Sequence, residues 1–249
     1  MQSRMVRFSF IPRALRARIY TLAAAAGAMA LATATPAHAS VIWDGDASHG
    51  TGVFAGVLCD SPNYVYTANW NDGRGDIFGF VNKAGQTRCE GHSVKVGGSE
   101  YQFTNNSTRW FGWESQTLTG NMGTVFQWKS NGTGEQHQQN YPIIMMVLEN
   151  QLRVWYVAPG EQWIGVGSGS WAPGQWHKVV LGVNAQSSTT GSFQVYLDGT
   201  RIVDQKNVRT WDDLGNKPRW GTYDSNVADT DQVNWINGLK MGTLSGDVM

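Results

Sequence analysis

Apolar and polar positions alternate along this chain in short runs, and long patterns with a helical period are missing. Val41–Trp43, Asp76–Asn82, His92–Val96, Tyr101–Thr104, Arg109–Leu118 and Met122–Ser130 read as strands. Ile143–Leu148 is almost purely apolar, which predicts a strand buried on both faces, with Gln151–Val157 as the other arm of its hairpin. Trp176–Val183, Ser192–Leu197, Thr200–Val203, Lys217–Tyr223 and Val233–Met241 complete the set. Asp198-Gly199, between two of these runs, is the pair that a two-residue type I′ turn wants. Residues 53–75 read mostly as loop, and Asn207–Gly215 as an irregular insertion. Roughly eleven to fourteen strands with turns between them predict an all-β fold, a sandwich or barrel.

The alternation also says which side chains share a face. On Lys217–Tyr223, the residues Lys217, Arg219, Gly221 and Tyr223 point one way; Pro218, Trp220 and Thr222 point the other. Proline is tolerated at the start or edge of a strand, which places Pro218 near the start. On Met122–Ser130 the core-type residues Phe126 and Trp128 share one face, leaving Val125, Gln127 and Lys129 on the other. If the sheets set these strands side by side, one face offers an amide, three cations and a phenol. A solvated outer face is the plainer reading of the same pattern.

Residues 1–39 stand apart. Arg4, Arg7, Arg13, Arg16 and Arg18 precede an Ala-rich apolar run that ends in Ala37-His38-Ala39, the pattern of a secretory signal peptide. The apolar run is short for a membrane anchor, and the reading excludes a membrane partner. Residues 40–249 then form one secreted, extracellular domain, expected as a monomer. The whole chain carries 19 Lys+Arg and 19 Asp+Glu; five of the arginines lie in the leader, so the remainder is net acidic and has no footprint for nucleic acid. In an exported protein the two cysteines, Cys59 and Cys89, are expected to form a disulfide. All twelve tryptophans follow the leader, amid many Gly, Asn, Ser and Thr, a composition that suits a sugar-handling β protein.

Several stretches resemble the β-jelly-roll polysaccharide lyases. They are Phe126-Gln127-Trp128-Lys129, Gln139-Asn140-Tyr141-Pro142, Gln175-Trp176-His177-Lys178-Val179-Val180, the hairpin Phe193–Gly199 and Arg219-Trp220-Gly221-Thr222-Tyr223. The pattern is most similar to the glucuronan lyases, and more distantly to alginate lyases and heparin lyase I. The resemblance implies a concanavalin-like sandwich of two antiparallel sheets with a concave substrate cleft. It also implies an acidic polysaccharide substrate cut by β-elimination, β-1,4-glucuronan before alginate or another uronate polymer. Alginate lyases of this fold carry Gln-x-His where this chain has Gln127-x-Lys129. Their Arg-x-Glu-x-Arg strand has Arg109 to Gln116 as its nearest counterpart here.

Elimination needs three services. The uronate carboxylate must be neutralised, a base must take the C5 proton, and an acid must protonate the departing O4. By resemblance Tyr223 is the base and acid, and Gln127 the carboxylate neutraliser, helped by Arg109 or Lys129. Lys217, Arg219 and Lys129 are the cations that would lower the phenol's pKa. His92 is a candidate base or carboxylate partner, beside the alternative of a loop histidine without a role. Tyr141 is a candidate cleft residue, His137 a weaker one, and His177 reads as structural. No cofactor is required for this chemistry. Asp44 and Asp46 suit a structural Ca2+ or, more simply, a turn. The competing class is a noncatalytic carbohydrate-binding, lectin-like domain. A glucanase is disfavoured, since no Glu-x-Asp-x-x-Glu spacing accompanies Glu114.

Overall fold

The computed structural model describes residues 40–131, 139–223 and 229–249; the expected signal peptide, residues 1–39, and His137 lie outside them. Seventeen strands follow one another among the described residues: β1 (Val41–Asp44), β2 (Gly56–Leu58), β3 (Tyr64–Asn69), β4 (Asp76–Asn82), β5 (Arg88–His92), β6 (Lys95–Val96), β7 (Ser99–Glu100), β8 (Ser107–Thr117), β9 (Gly123–Lys129), β10 (Ile143–Leu148), β11 (Gln151–Ala158), β12 (Gln162–Ser170), β13 (His177–Ala185), β14 (Gly191–Leu197), β15 (Thr200–Val208), β16 (Lys217–Tyr223) and β17 (Gln232–Gly242). One sheet runs β15-β14-β13-β8-β17-β4-β3, with β1 also on β17; the other runs β12-β11-β10-β9-β16-β5-β2. Every pairing in both sheets is antiparallel. This is the two-sheet sandwich of a β-jelly roll.

The inner faces meet in an aromatic core. Trp113 of the first sheet stacks on Phe126 of the second at 5.1 Å, and Trp220 lies against Trp43 at 5.6 Å and Trp113 at 6.1 Å. Phe126, Trp128 and Trp220 are fully buried. Each ring removes on the order of 150–250 Å² from water, so the register of β9 and β16 is strongly fixed: a one-residue slip would expose these rings. The same constraint sends Gln127, Lys129, Lys217 and Arg219 to the opposite face.

Some boundaries differ from those the pattern suggests. Residues 53–75 hold β2 and β3. The run His92–Val96 is divided between β5, which begins at Arg88, and β6; Tyr101–Thr104 is not a strand. β6 and β7 instead form a small hairpin over Gly97-Gly98, both at positive φ. β12 has no counterpart in the predicted set, because this Gly- and Ser-rich edge strand is mostly exposed and shows no apolar alternation. Asp198 and Gly199 both take positive φ at their turn, as type I′ demands. Pro218 is the second residue of β16, which is a central strand.

Cys59 and Cys89 form a disulfide that ties the segment after β2 to the second residue of β5. Asp44 Oδ1 accepts from the Asp46 amide at 3.1 Å and Asp46 Oδ1 from the Ser48 amide at 2.8 Å, so both carboxylates serve the local turn. Among the described residues, no group of three or more His, Cys, Asp or Glu side chains is arranged to hold a metal ion. Nor is any described helix long and apolar enough to cross a membrane.

Candidate active site

The outer face of the β9-β16-β5 strip gathers most of the expected site residues. β16 lies between the other two strands, and its Arg219 pairs with Gln127 on β9 and with His92 on β5. These three side chains form one row across the sheet. Lys217 opposite Lys129 forms the next row. In the other direction Gly221 lies opposite Glu90, and Tyr223 opposite Arg88 and Thr124. The spacing slips between Trp220 and Tyr223 on the β9 side, a bulge that re-aims the end of β16. Asn234, buried in the facing sheet, donates from Nδ2 to the Gly221 carbonyl at 2.7 Å and accepts from Ser115 Oγ at 2.6 Å. That link fixes the bulge from behind.

Although they point away from the core, Glu90, Gln127 and Arg219 are only 2, 4 and 6 % exposed. The middle of this face is therefore recessed. Gln127 Nε2 donates to Glu90 Oε1 at 2.6 Å. Arg219 Nη2 donates to Asn131 Oδ1 at 3.2 Å. Among the described residues Glu90 Oε2 has no hydrogen-bond partner, which is costly for a buried carboxyl oxygen. Burial pushes the Glu90 carboxyl above its ordinary pKa; Arg219, the Gln127 amide, Arg88 and Lys129 pull against it.

The cations feel each other as well. Burial brings the Lys129 ammonium down to about 8, with Arg219 adding to the shift and Glu90 opposing it. Lys129 Nζ lies 4.9 Å from the Tyr141 ring centre. Burial, then Arg219 and Lys217, lower the pKa of half-buried His92, so its imidazole is neutral near pH 7. Lys217 Nζ donates to Glu100 Oε1 at 2.6 Å, which holds the Glu100 carboxyl below its usual range. Arg88 stands over the Tyr223 ring at 5.7 Å. Tyr141 donates its hydroxyl to Glu161; burial and that carboxylate push the Tyr141 phenol above its ordinary pKa.

Thus Gln127, Lys129, Lys217, Arg219, Tyr223 and His92 share one face, with Tyr141 at its side. Arg109 does not join them. It sits on β8 in the other sheet, where Nε and Nη2 donate to Tyr101 Oη at 2.9 and 2.6 Å. The Arg109 to Gln116 run, the expected counterpart of Arg-x-Glu-x-Arg, lies on β8, outside the sheet that carries this face. Arg88-x-Glu90-x-His92 on β5 is the alternation that reaches the face; the strand begins at Arg88, before the expected start at His92, and so adds Arg88 and Glu90 to the site. Glu114, on β8, accepts from Arg74 Nε at 3.2 Å and Asn237 Nδ2 at 2.9 Å. His177 is held by Asp198 at 2.7 Å and stacks on Trp171 at 4.4 Å, a structural position.

An all-β jelly roll with a recessed face of amide, imidazole, guanidinium and phenol groups is the class that fold and site define. A polysaccharide lyase family model matches residues 69–240, and the chain belongs to that family. It is accordingly a lyase enzyme, and the lectin-like alternative is set aside. No curated protein matches the sequence. Among solved structures, the chain is similar to an endo-β-1,4-glucuronan lyase from the fungus Trichoderma reesei, with a TM-score of 0.63 at 18% identity over 78% of this chain and 93% of that one. An alginate lyase of polysaccharide lyase family 7 gives a TM-score of 0.53 at 14% identity, over 75% of this chain and 85% of that one. A carbohydrate esterase from a Shiga toxin-encoding bacteriophage gives 0.55 at 13% identity, over 82% and 99%. At these identities the likeness is one of fold.

Proposed function

We propose that this lyase cuts a uronic-acid polymer by β-elimination on the outer face of β9, β16 and β5. The observation that carries the reading is the placement of Tyr223, with Arg88 over its ring, on the same recessed face as Gln127 and Arg219. In this reading Tyr223 acts in its phenolate form, the form able to take a proton. In the reaction, Tyr223 takes the C5 proton of the uronate. The electron pair forms the C4–C5 double bond as the C4–O4 bond breaks, and the same tyrosine returns the proton to O4. Arg219, Lys129 and the free N–H of Gln127 stabilise the charge that builds on the carboxylate. His92, neutral and beside Arg219, is a second partner for that carboxylate.

β-1,4-Glucuronan is the polymer we put first. Lys129 replaces the histidine of the alginate-lyase pattern, and the glucuronan lyase named above shares the fold. The enzyme is read as exported after loss of residues 1–39, as monomeric, and as needing no cofactor for the chemistry. Incubation of residues 40–249 with glucuronan, alginate and heparin, followed by ultraviolet absorbance of the unsaturated uronate, tests the reading. Product from glucuronan supports it; no unsaturated product from any uronate polymer overturns it.

A further inference from the structure

Three aromatic rings outside the cation rows lie on the same outer face. Trp155 pairs with Ile144, which pairs with Gln127, so it stands in the row that contains Arg219 and His92. Trp163 lies opposite Val157 on edge strand β12, on the same side as Trp155 by the two-residue repeat. Its ring centre is 6.1 Å from that of Trp155 and 5.7 Å from that of Tyr141. Tyr141 in turn lies under Lys129 Nζ. The rings therefore continue the recessed site without a break.

Single exposed apolar side chains need no explanation, but touching rings on one face make a patch. Trp163 is 45 % exposed, although Tyr141 and Trp155 flank it. No core role accounts for it, since the core is filled from the opposite face of β11, by Val154 and Tyr156. Its occupant must present a flat, C–H-rich surface and still belong beside a cation row. A pyranose ring of an extended uronate chain has both properties.

We infer that Trp163, with Trp155 and Tyr141, forms a sugar-stacking subsite for units of the polymer remote from the bond being cut. The inference rests on the substrate class proposed above. β12 lies three strands from β9, about 14 Å at roughly 4.8 Å per strand. That exceeds one pyranose ring, so short oligomers held at Gln127 and Arg219 leave Trp163 untouched while longer ones reach it. Because the rings lie at one side of the reacting groups, the subsite favours attack within long chains over attack on short ones.

The test uses a Tyr223→Phe background, so that oligomers bind without being cut. Calorimetric affinity is measured for a disaccharide and a hexasaccharide of β-1,4-linked glucuronic acid, with and without Trp163→Ala. The expected result is about a tenfold loss for the hexasaccharide, no change for the disaccharide, and recovery of most of the loss with Trp163→Phe. Unchanged hexasaccharide affinity, equal losses for both oligomers, or no binding of either overturns the subsite. Length-dependent binding through Trp163 without unsaturated product from the unsubstituted enzyme would sink the elimination reading alone. Turnover without a Trp163 contribution would sink the subsite alone.

Discussion

Gln127 Nε2 lies 2.6 Å from Glu90 Oε1 although β16 separates their strands. The two side chains meet over β16, beside Gly221, where no side chain stands. One N–H of the amide is thereby fixed on a buried carboxylate, and the other is left for a ligand. The bond is short and buried, where an unmade partner is costly, so Glu90 sets the direction of the amide.

Glu90→Gln is expected to keep the fold, since shape and one acceptor survive. It should lower turnover by about tenfold or more through misdirection of Gln127. A second effect separates this from simple damage. Glu90 holds the Lys129 pKa up, so its removal moves the alkaline limb of the pH profile to lower pH. Steady-state kinetics across pH would show it; an unmoved limb contradicts the proposed coupling.

Lys129 itself predicts a pH dependence. Its ammonium loses its proton near pH 8 rather than near its ordinary value, so affinity for a polyanion falls as pH rises through about 8. Bound carboxylate favours the charged amine, so the limb in kcat lies above that in kcat/KM. Lys129→Arg, with a guanidinium charged throughout, should remove the limb near 8. The stability effect has the opposite sign. Between about 8 and the ordinary lysine range the unfolded chain binds more protons than the folded one, so this group makes stability rise with pH there.

Gly221 has φ 144°, and a Cβ placed there would lie 2.2 Å from the Cys89 carbonyl oxygen and 2.8 Å from Glu90 Cα. Both contacts are with the backbone of β5, which the disulfide at Cys89 anchors. Gly221→Ala is expected to cost about 2–3 kcal/mol of stability, read by urea unfolding. It should also shift Tyr223, so activity falls more steeply than the folded fraction. A variant of unchanged stability would contradict this account of the bulge.

The parts legible in the sequence are those that a two-residue repeat controls. Phe126, Trp128 and Trp220 announce the core side of β9 and β16, and Gln127, Lys129, Lys217 and Arg219 follow on the other side. Register between strands distant in sequence has no such signal. Arg88-Cys89-Glu90-Gly91-His92 contains no β-branched residue and buries its core face through Cys89 and Gly91 packed on Phe54, so it does not read as a strand. Glu90 has no signal of its own there, and Arg109, expected beside the carboxylate, lies in the other sheet. Trp163 was equally hidden, because an exposed edge strand rich in glycine has no apolar period to mark its faces.

The most direct measurement of the central claim compares Tyr223→Phe with the unsubstituted enzyme on glucuronan, following both unsaturated product and equilibrium binding. Removal of one hydroxyl from the recessed face is expected to abolish product formation and leave binding and thermal stability intact. Turnover at the unsubstituted rate would contradict the role assigned to Tyr223.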